Sequence, residues 1–175
     1  MLYGGAGYPA VVTDAIRPDL VRRSLDLALA NVEAGGKPFA CVVVDAATGE
    51  VLHEATNQVS QSGDMTAHAE ITAIRELAAT GRTDLAGCDV YVTAYPCPMC
   101  LGALYYAAPE RVVYAASREE EGEHYEDGGR YMSLATFYDE YAKAPAERAL
   151  PAVRGEATHG PEVVEPFRRW TARHG

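Results

Sequence analysis

Positive charge is scarce in this chain. Its 15 lysines and arginines stand against 25 aspartates and glutamates, for a formal net charge of −10. A protein that grips a phosphate backbone needs a basic face to displace counterions. Here the basic residues are scattered, and the densest charge run, Glu119-Glu120-Glu121 with Glu123, Glu126 and Asp127, is acidic. Nucleic acid is therefore not an expected partner, and small substrates are favoured. Long apolar runs are also missing: no segment approaches the roughly 20 residues that a membrane span requires, so no membrane association is expected. The first residues lack a basic stretch followed by an apolar one, and the four cysteines form no disulfide-like framework. Both absences point to a reducing, cytoplasmic setting. No internal repeat, coiled coil or low-complexity tract is present.

What is present is enough apolar material, 48% of 175 residues, for one domain with a proper core. Residues 1–16 carry several Gly and Tyr without periodicity and read as a flexible arm. Pro18 to Ala34 reads as a packing helix with apolar Leu20, Val21, Leu25, Leu29 and Val32, stopped by Gly35-Gly36. Phe39 to Asp45 is a strand too continuously apolar to face water, and Thr48-Gly49 turns it into a second strand, Val51 to Asn57. A helix from Thr66 to Leu77, with Thr66 as its N-cap, has apolar Ile71, Ile74 and Leu77 at helical spacing. Asp89–Ala94 reads as a strand, Pro98–Tyr106 as a helix opened by Pro98, and Arg111–Ala116 as a further buried strand. This order predicts a three-layer α/β/α sandwich around a central mixed sheet, with ligands beyond the strand ends where helices begin. The expected division is a domain over 17–150 and a tail over 151–175, with two short helices beyond Ser133.

His68-Ala69-Glu70 and Pro96-Cys97-Pro98-Met99-Cys100 are the chemically informative segments. Catalytic zinc takes three protein ligands in a tetrahedral site and keeps a fourth position for water. His68, Cys97 and Cys100 supply three, and Glu70 is a carboxylate left over. Two thiolates cancel the charge of Zn2+ and leave it a weaker Lewis acid than an all-histidine site does, so its water needs a base. Glu70, two residues from His68, is placed to take that proton and deliver it to a ring nitrogen or a leaving amine. The pairing of H-x-E with P-C-x-x-C is the signature of hydrolytic zinc deaminases. With His68 in the first turn of one helix and Cys97 and Cys100 flanking the first turn of another, two helix N-termini face one ion and favour the deprotonated sulfurs. A closed structural site needs a fourth ligand from Cys41, Cys88, His53, His124 or His159, none of which lies in a second C-x-x-C. A redox pair leaves the upstream His-x-Glu unexplained.

These motifs, together with Gly36-Lys37-Pro38-Phe39, the run Thr66 to Arg75, Pro96 to Ala103, Pro145-Ala146-Glu147-Arg148 and Pro166-Phe167 with Trp170, give the chain a marked likeness. It resembles the cytidine deaminase-like superfamily, and within it the bacterial guanine deaminases, from about Asp19 to Trp170. The resemblance implies zinc on His68, Cys97 and Cys100, proton transfer by Glu70, and a nucleobase held by the amide of Asn57, with Phe39 and Ala69 beside it. Read from the sequence alone, Asn57 is better explained as turn chemistry at a strand end, and Phe39 equally as core packing. Two positions depart from the family. Tyr95 stands where an acidic residue usually precedes Pro-Cys, offering a neutral phenol and a stacking face to the substrate. The acidic residue that assists proton transfer lies in a longer region here, with Glu126 and Asp127 as candidates and a solvated acidic loop as the alternative. The implied partners are a small nucleobase or related heterocycle and, through the aromatic tail, a second copy in a homodimer whose tail crosses to the neighbouring subunit. The expected activity is hydrolytic deamination, with guanine the first substrate. Cytosine, an aminotriazine or a nucleoside, tRNA adenosine editing and an inactive zinc scaffold are the alternatives.

Overall fold

The computed structural model describes residues 16–126, 133, 136–150, 152 and 161–174. The contacts divide the chain into a unit over residues 1–126 and another over 127–175. Of the expected N-terminal arm only Ile16 is described, and Asp127 lies outside the described residues.

In the first unit β1 (Ala40–Asp45) is central and its alternating residues face two different layers. Cys41 and Val43 pack with Val90 and Val92 of β3 (Cys88–Ala94) and with Ala69, Ala73 and Leu77 of α3 (Ala69–Ala79). Val42 and Val44 pack with Tyr91 and Leu20, the latter on α1 (Pro18–Glu33). Coverage on both faces is why β1 reads as an unbroken apolar run. The sheet order is β2-β1-β3-β4, with β2 (Val51–Thr56) and β4 (Arg111–Ala116) at the edges. Pairing is antiparallel for β1 with β2 and with β3, and parallel for β3 with β4, so the sheet is mixed as expected. One layer holds α1; the other holds α3 and α4 (Pro98–Ala107). The expected α/β/α sandwich is the fold of this unit.

The β1–β2 turn follows from local chemistry. Asp45 Oδ1 accepts from the N–H groups of Ala47 and Thr48 at 3.0 and 2.8 Å. Gly49 then takes φ +72°, with Arg17 packed where a side chain would project.

Two sequence expectations need correction. The helix containing Glu70 starts not at Thr66 but at His68, whose extended backbone makes it the N-cap. Thr66 spends both its N–H and its hydroxyl on Asp64 Oδ1, at 2.8 and 2.7 Å, and so belongs to the preceding turn. The buried stripe of α1 is Leu20, Ser24, Ala28 and Asn31, while Leu29 and Val32 are exposed. Small side chains let that face approach the sheet closely. Ser24 donates to the carbonyl of Val21 at 2.8 Å, so its burial leaves no unpaired hydroxyl. Among the described residues four short elements were not anticipated: α2 (Val59–Ser62), α5 (Arg118–Gly122) and 3-10 helices over Pro145–Glu147 and Pro161–Val164.

The second unit contains α6 (Phe137–Ala142) and α7 (Glu165–His174), the two short helices expected of the tail. Phe167 and Trp170 are exposed on α7, and the Trp170 ring stacks on His174. Among the described residues no helix is long and apolar enough to cross a membrane.

The parallel pair β3–β4 is pinned by an ion pair at register partners Asp89 and Arg111. Asp89 is buried, and its Oδ2 accepts from Arg111 Nε and Nη2 at 2.8 and 2.7 Å. Arg111→Ala strands that carboxylate and is expected to cost about 2–3 kcal/mol in urea unfolding. Asp89→Asn in the same chain should recover part of the loss.

Candidate active site

The topology gathers the chemistry at one end of the sheet. Ala40 pairs with Thr56, so Phe39, just before β1, and Asn57, just after β2, lie together, and the N–H of Asn57 donates to the carbonyl of Phe39 at 2.9 Å. Strand β3 runs antiparallel to β1 and parallel to β4, which brings the segments after Ala94 and after Ala116 to the same end. The N–H of Tyr95 joins those two exits by donating to Ala116 at 3.0 Å. The loop before α3 is tied in by the N–H of Gln58 donating to Ala67 at 2.8 Å.

Two helix starts then converge. His68 caps α3, and its carbonyl accepts from the N–H of Thr72 at 2.8 Å. Cys97 caps α4, Pro98 occupies the first helical position, and Cys100 lies buried in the first turn. The ligating atoms of His68, Cys97 and Cys100 all lie within 4.8 Å of one another. Cys97 Sγ and His68 Nδ1 are 3.6 Å apart. Zinc bonds of about 2.3 Å to sulfur and about 2.1 Å to nitrogen at the tetrahedral angle place such a pair about 3.6 Å apart. These three residues could therefore hold a zinc ion with little movement. Among the described residues neither Cys41, Cys88, His53 nor His124 joins the cluster, so a closed four-ligand site is not formed there; His159 lies outside the described residues.

The sulfurs are electrostatically unequal. Cys97 is pulled down to about 4 by the hydrogen bond from Cys100, helped by His68 and by the backbone N–H of Cys100. Cys100 is pushed up, first by that same hydrogen bond and then by burial. Of the two sulfurs Cys97 is thus the more readily deprotonated, and a bound divalent cation would displace the proton they share. Glu70 sits in the first turn of α3, 8% exposed and outside the three-residue cluster. Desolvation raises its carboxyl above the usual range, opposed by its own backbone N–H and by Cys100.

The other expected site residues divide. Asn57 is buried at the strand exit, and Asn31 Nδ2 donates to its carbonyl at 3.0 Å. Its Oδ1 accepts from the N–H of Val59 at 3.0 Å, the turn chemistry weighed from the sequence. Its side-chain nitrogen makes no hydrogen bond among the described residues. Phe39 is half-buried and packs against the core cluster containing Ala69, the packing role weighed from the sequence, and its ring stands edge-to-face with Tyr125. Ala69 is fully enclosed. Tyr95 packs edge-on against Tyr114 at 5.1 Å, with the Arg118 guanidinium 5.8 Å from its ring centroid. Glu126 is exposed. Tyr125 was missed from the sequence, although Ser117-x-x-Glu120 spells the capping box that starts α5 just before it.

Zinc analysis of purified variants tests the cluster. His68→Ala, Cys97→Ala and Cys100→Ala should each lose the metal, whereas His53→Ala and His124→Ala should keep about one zinc per chain. Loss in either of the last two would show a fourth side-chain ligand.

Residues 17–116 match the cytidine and deoxycytidylate deaminase zinc-binding region. The guanine deaminase of Bacillus subtilis is 38% identical over 152 residues, spanning 86% of this chain and 90% of the relative. Its X-ray structure aligns with a TM-score of 0.78 at 36% identity, over 90% of this chain and 95% of that one. A tRNA-specific adenosine deaminase of Agrobacterium fabrum is 36% identical over 117 residues, 64% of this chain and 75% of the relative. A structure of the guanine deaminase from Nitrosomonas europaea aligns with a TM-score of 0.60 at 28% identity, over 68% of this chain and 69% of that one. The matched region contains all four strands of the sheet and both helices that start at the metal-ligating residues. The chain therefore belongs to the cytidine and deoxycytidylate deaminase zinc-binding family.

Proposed function

We propose that this protein is a zinc-dependent hydrolase that deaminates free guanine, with His68, Cys97 and Cys100 holding the metal. The observation that carries the reading is a buried carboxylate, Glu70, beside a three-donor cluster to which it does not belong. A carboxylate so placed has no structural purpose in a closed site and an obvious one in proton transfer. Likeness to a guanine deaminase across most of both chains selects the substrate.

Zinc supplies the Lewis acidity that makes water nucleophilic near neutral pH. Glu70 accepts the proton of the attacking water as oxygen bonds to the amine-bearing ring carbon. It returns that proton to a ring nitrogen and then helps protonate the amine, so the C–N bond breaks, ammonia leaves, and the oxygen remains as the new carbonyl. A carboxyl held above its usual range is suited to accepting and releasing in turn. Asn57 presents its side-chain nitrogen as a donor to the base, because its oxygen is already engaged by Val59. Phe39 gives the ring a stacking face, and Ala69, whose side chain is enclosed, acts through its N–H at the helix start. Tyr95 borders the substrate with a neutral phenol. Asp127 is the proposed acidic assistant, following Glu126 in the chain.

We place the enzyme in the cytoplasm, since none of the four cysteines is paired in a disulfide. Residues 17–150 form the proposed deaminase domain, and 151–175 the tail, whose exposed Phe167 and Trp170 pack on a second copy in a homodimer. Editing of tRNA, the activity named for the Agrobacterium relative, is disfavoured by the net charge of −10.

Ammonia release from guanine, cytosine, an aminotriazine, guanosine and tRNA tests the substrate. Guanine is expected to give the highest kcat/KM, and turnover confined to another member of the panel would reassign it. Glu70→Gln should retain zinc and lose about 10³-fold in kcat. A loss under tenfold would remove Glu70 from the mechanism.

A further inference from the structure

Tyr125 is used by none of the chemistry described so far, yet its surroundings belong to the site. It joins neither apolar core cluster. Its ring lies 5.0 Å from that of Phe39 at an interplanar angle of 82°. Lys37 Nζ lies 5.9 Å from the Tyr125 ring centroid. Both partners come from the segment that enters β1, at the end of the sheet where His68, Cys97 and Asn57 meet.

The backbone holds both sides of this contact. On one side, the Ser117 hydroxyl accepts from the N–H of Glu120 at 3.2 Å and the Glu120 carboxylate accepts from the N–H of Ser117 at 2.8 Å, fixing the start of α5. The N–H of Tyr125 then donates to Glu121 at 2.9 Å, setting the tyrosine one turn on. On the other side, the Lys37 carbonyl accepts from Asn31 Nδ2 at 2.7 Å and from the N–H of Phe39 at 2.9 Å. Two pinned segments thus bring two rings together near the perpendicular, and rotation of the Phe39 ring would forfeit the edge-to-face contact.

We infer that Tyr125 is a positioning residue: it fixes the plane of Phe39 and thereby the tilt of the planar heterocycle stacked on it, which aims the amine-bearing carbon at the attacking water oxygen. This rests on the proposed role of Phe39 as the stacking face. The contact with Phe39 is made by the ring, which phenylalanine also provides. Tilt matters to the reaction because a reacting carbon displaced by a fraction of an ångström from the attacking oxygen loses rate as well as affinity.

A double-mutant cycle tests it, using guanine turnover together with calorimetric binding of xanthine, an unreactive planar purine, to zinc-loaded protein. Tyr125→Leu should weaken xanthine binding about 3- to 10-fold and lower kcat/KM at least as much. Tyr125→Phe should restore both. In a Phe39→Leu background, Tyr125→Leu should add no further loss, with zinc content unchanged throughout. Additive losses, or a Tyr125→Phe variant as impaired as Tyr125→Leu, would overturn the inference, as would a lowered melting temperature with xanthine binding intact. If the wild type binds xanthine with the expected coupling but releases no ammonia from guanine, the substrate reading fails and the positioning role stands. If it binds no xanthine, both fail.

Discussion

The structure depends on one geometric coincidence: two helices begin at the same end of one sheet, and each spends its N-cap residue on a metal-ligating side chain. Strand β3 delivers Cys97, and the loop tied to the exit of β2 delivers His68. The pairing of β1 with both strands sets their separation. Because Cys97 and Cys100 flank the first turn of α4, placing one sulfur nearly places the other. An ion held here would be met by helix N-termini, whose unpaired N–H groups favour thiolate over thiol. Burial acts in the opposite direction on Glu70, raising its affinity for the proton that hydrolysis must move. One local arrangement thereby produces both a ready ligand and a reluctant anion.

How much of this could be read beforehand followed the range of the interactions. The ligand set was legible because its spacing is covalent: His-x-Glu and Cys-x-x-Cys retain their meaning wherever the helices lie. The sheet was legible because β1 is apolar on both faces, and the topology put Phe39 and Asn57 together without any long-range guess. The start of α3 was misjudged because Thr66 has a competing acceptor, Asp64, two residues away. The face of α1 was misjudged because counting large apolar residues favours Leu29 and Val32, whereas close packing on a sheet selects Ser24 and Ala28. Tyr125 was hidden among acidic residues read as a charge run, although the capping box beside it was in plain view.

At Asn57 the structure shows the turn role directly. Its oxygen performs the turn role, closing on Val59, and this leaves its side-chain nitrogen for a ligand. In the proposed mechanism the same amide that fixes the loop would address the base, with its orientation set by the backbone. Asn31 reinforces this, donating to the carbonyls of both Lys37 and Asn57. The backbone on either side of Phe39 and Asn57 is therefore braced from the α1 side of the sheet, while the Phe39 ring packs on the layer that carries the metal-ligating residues.

The claim that all of this serves is an open three-ligand zinc site. X-ray absorption at the zinc edge of the purified protein addresses it most directly. The account predicts two sulfur scatterers at about 2.3 Å, two nitrogen or oxygen scatterers at about 2.0–2.1 Å, and the multiple scattering of a single imidazole. A third sulfur or a second imidazole would mean a closed site, and the catalytic account would fail.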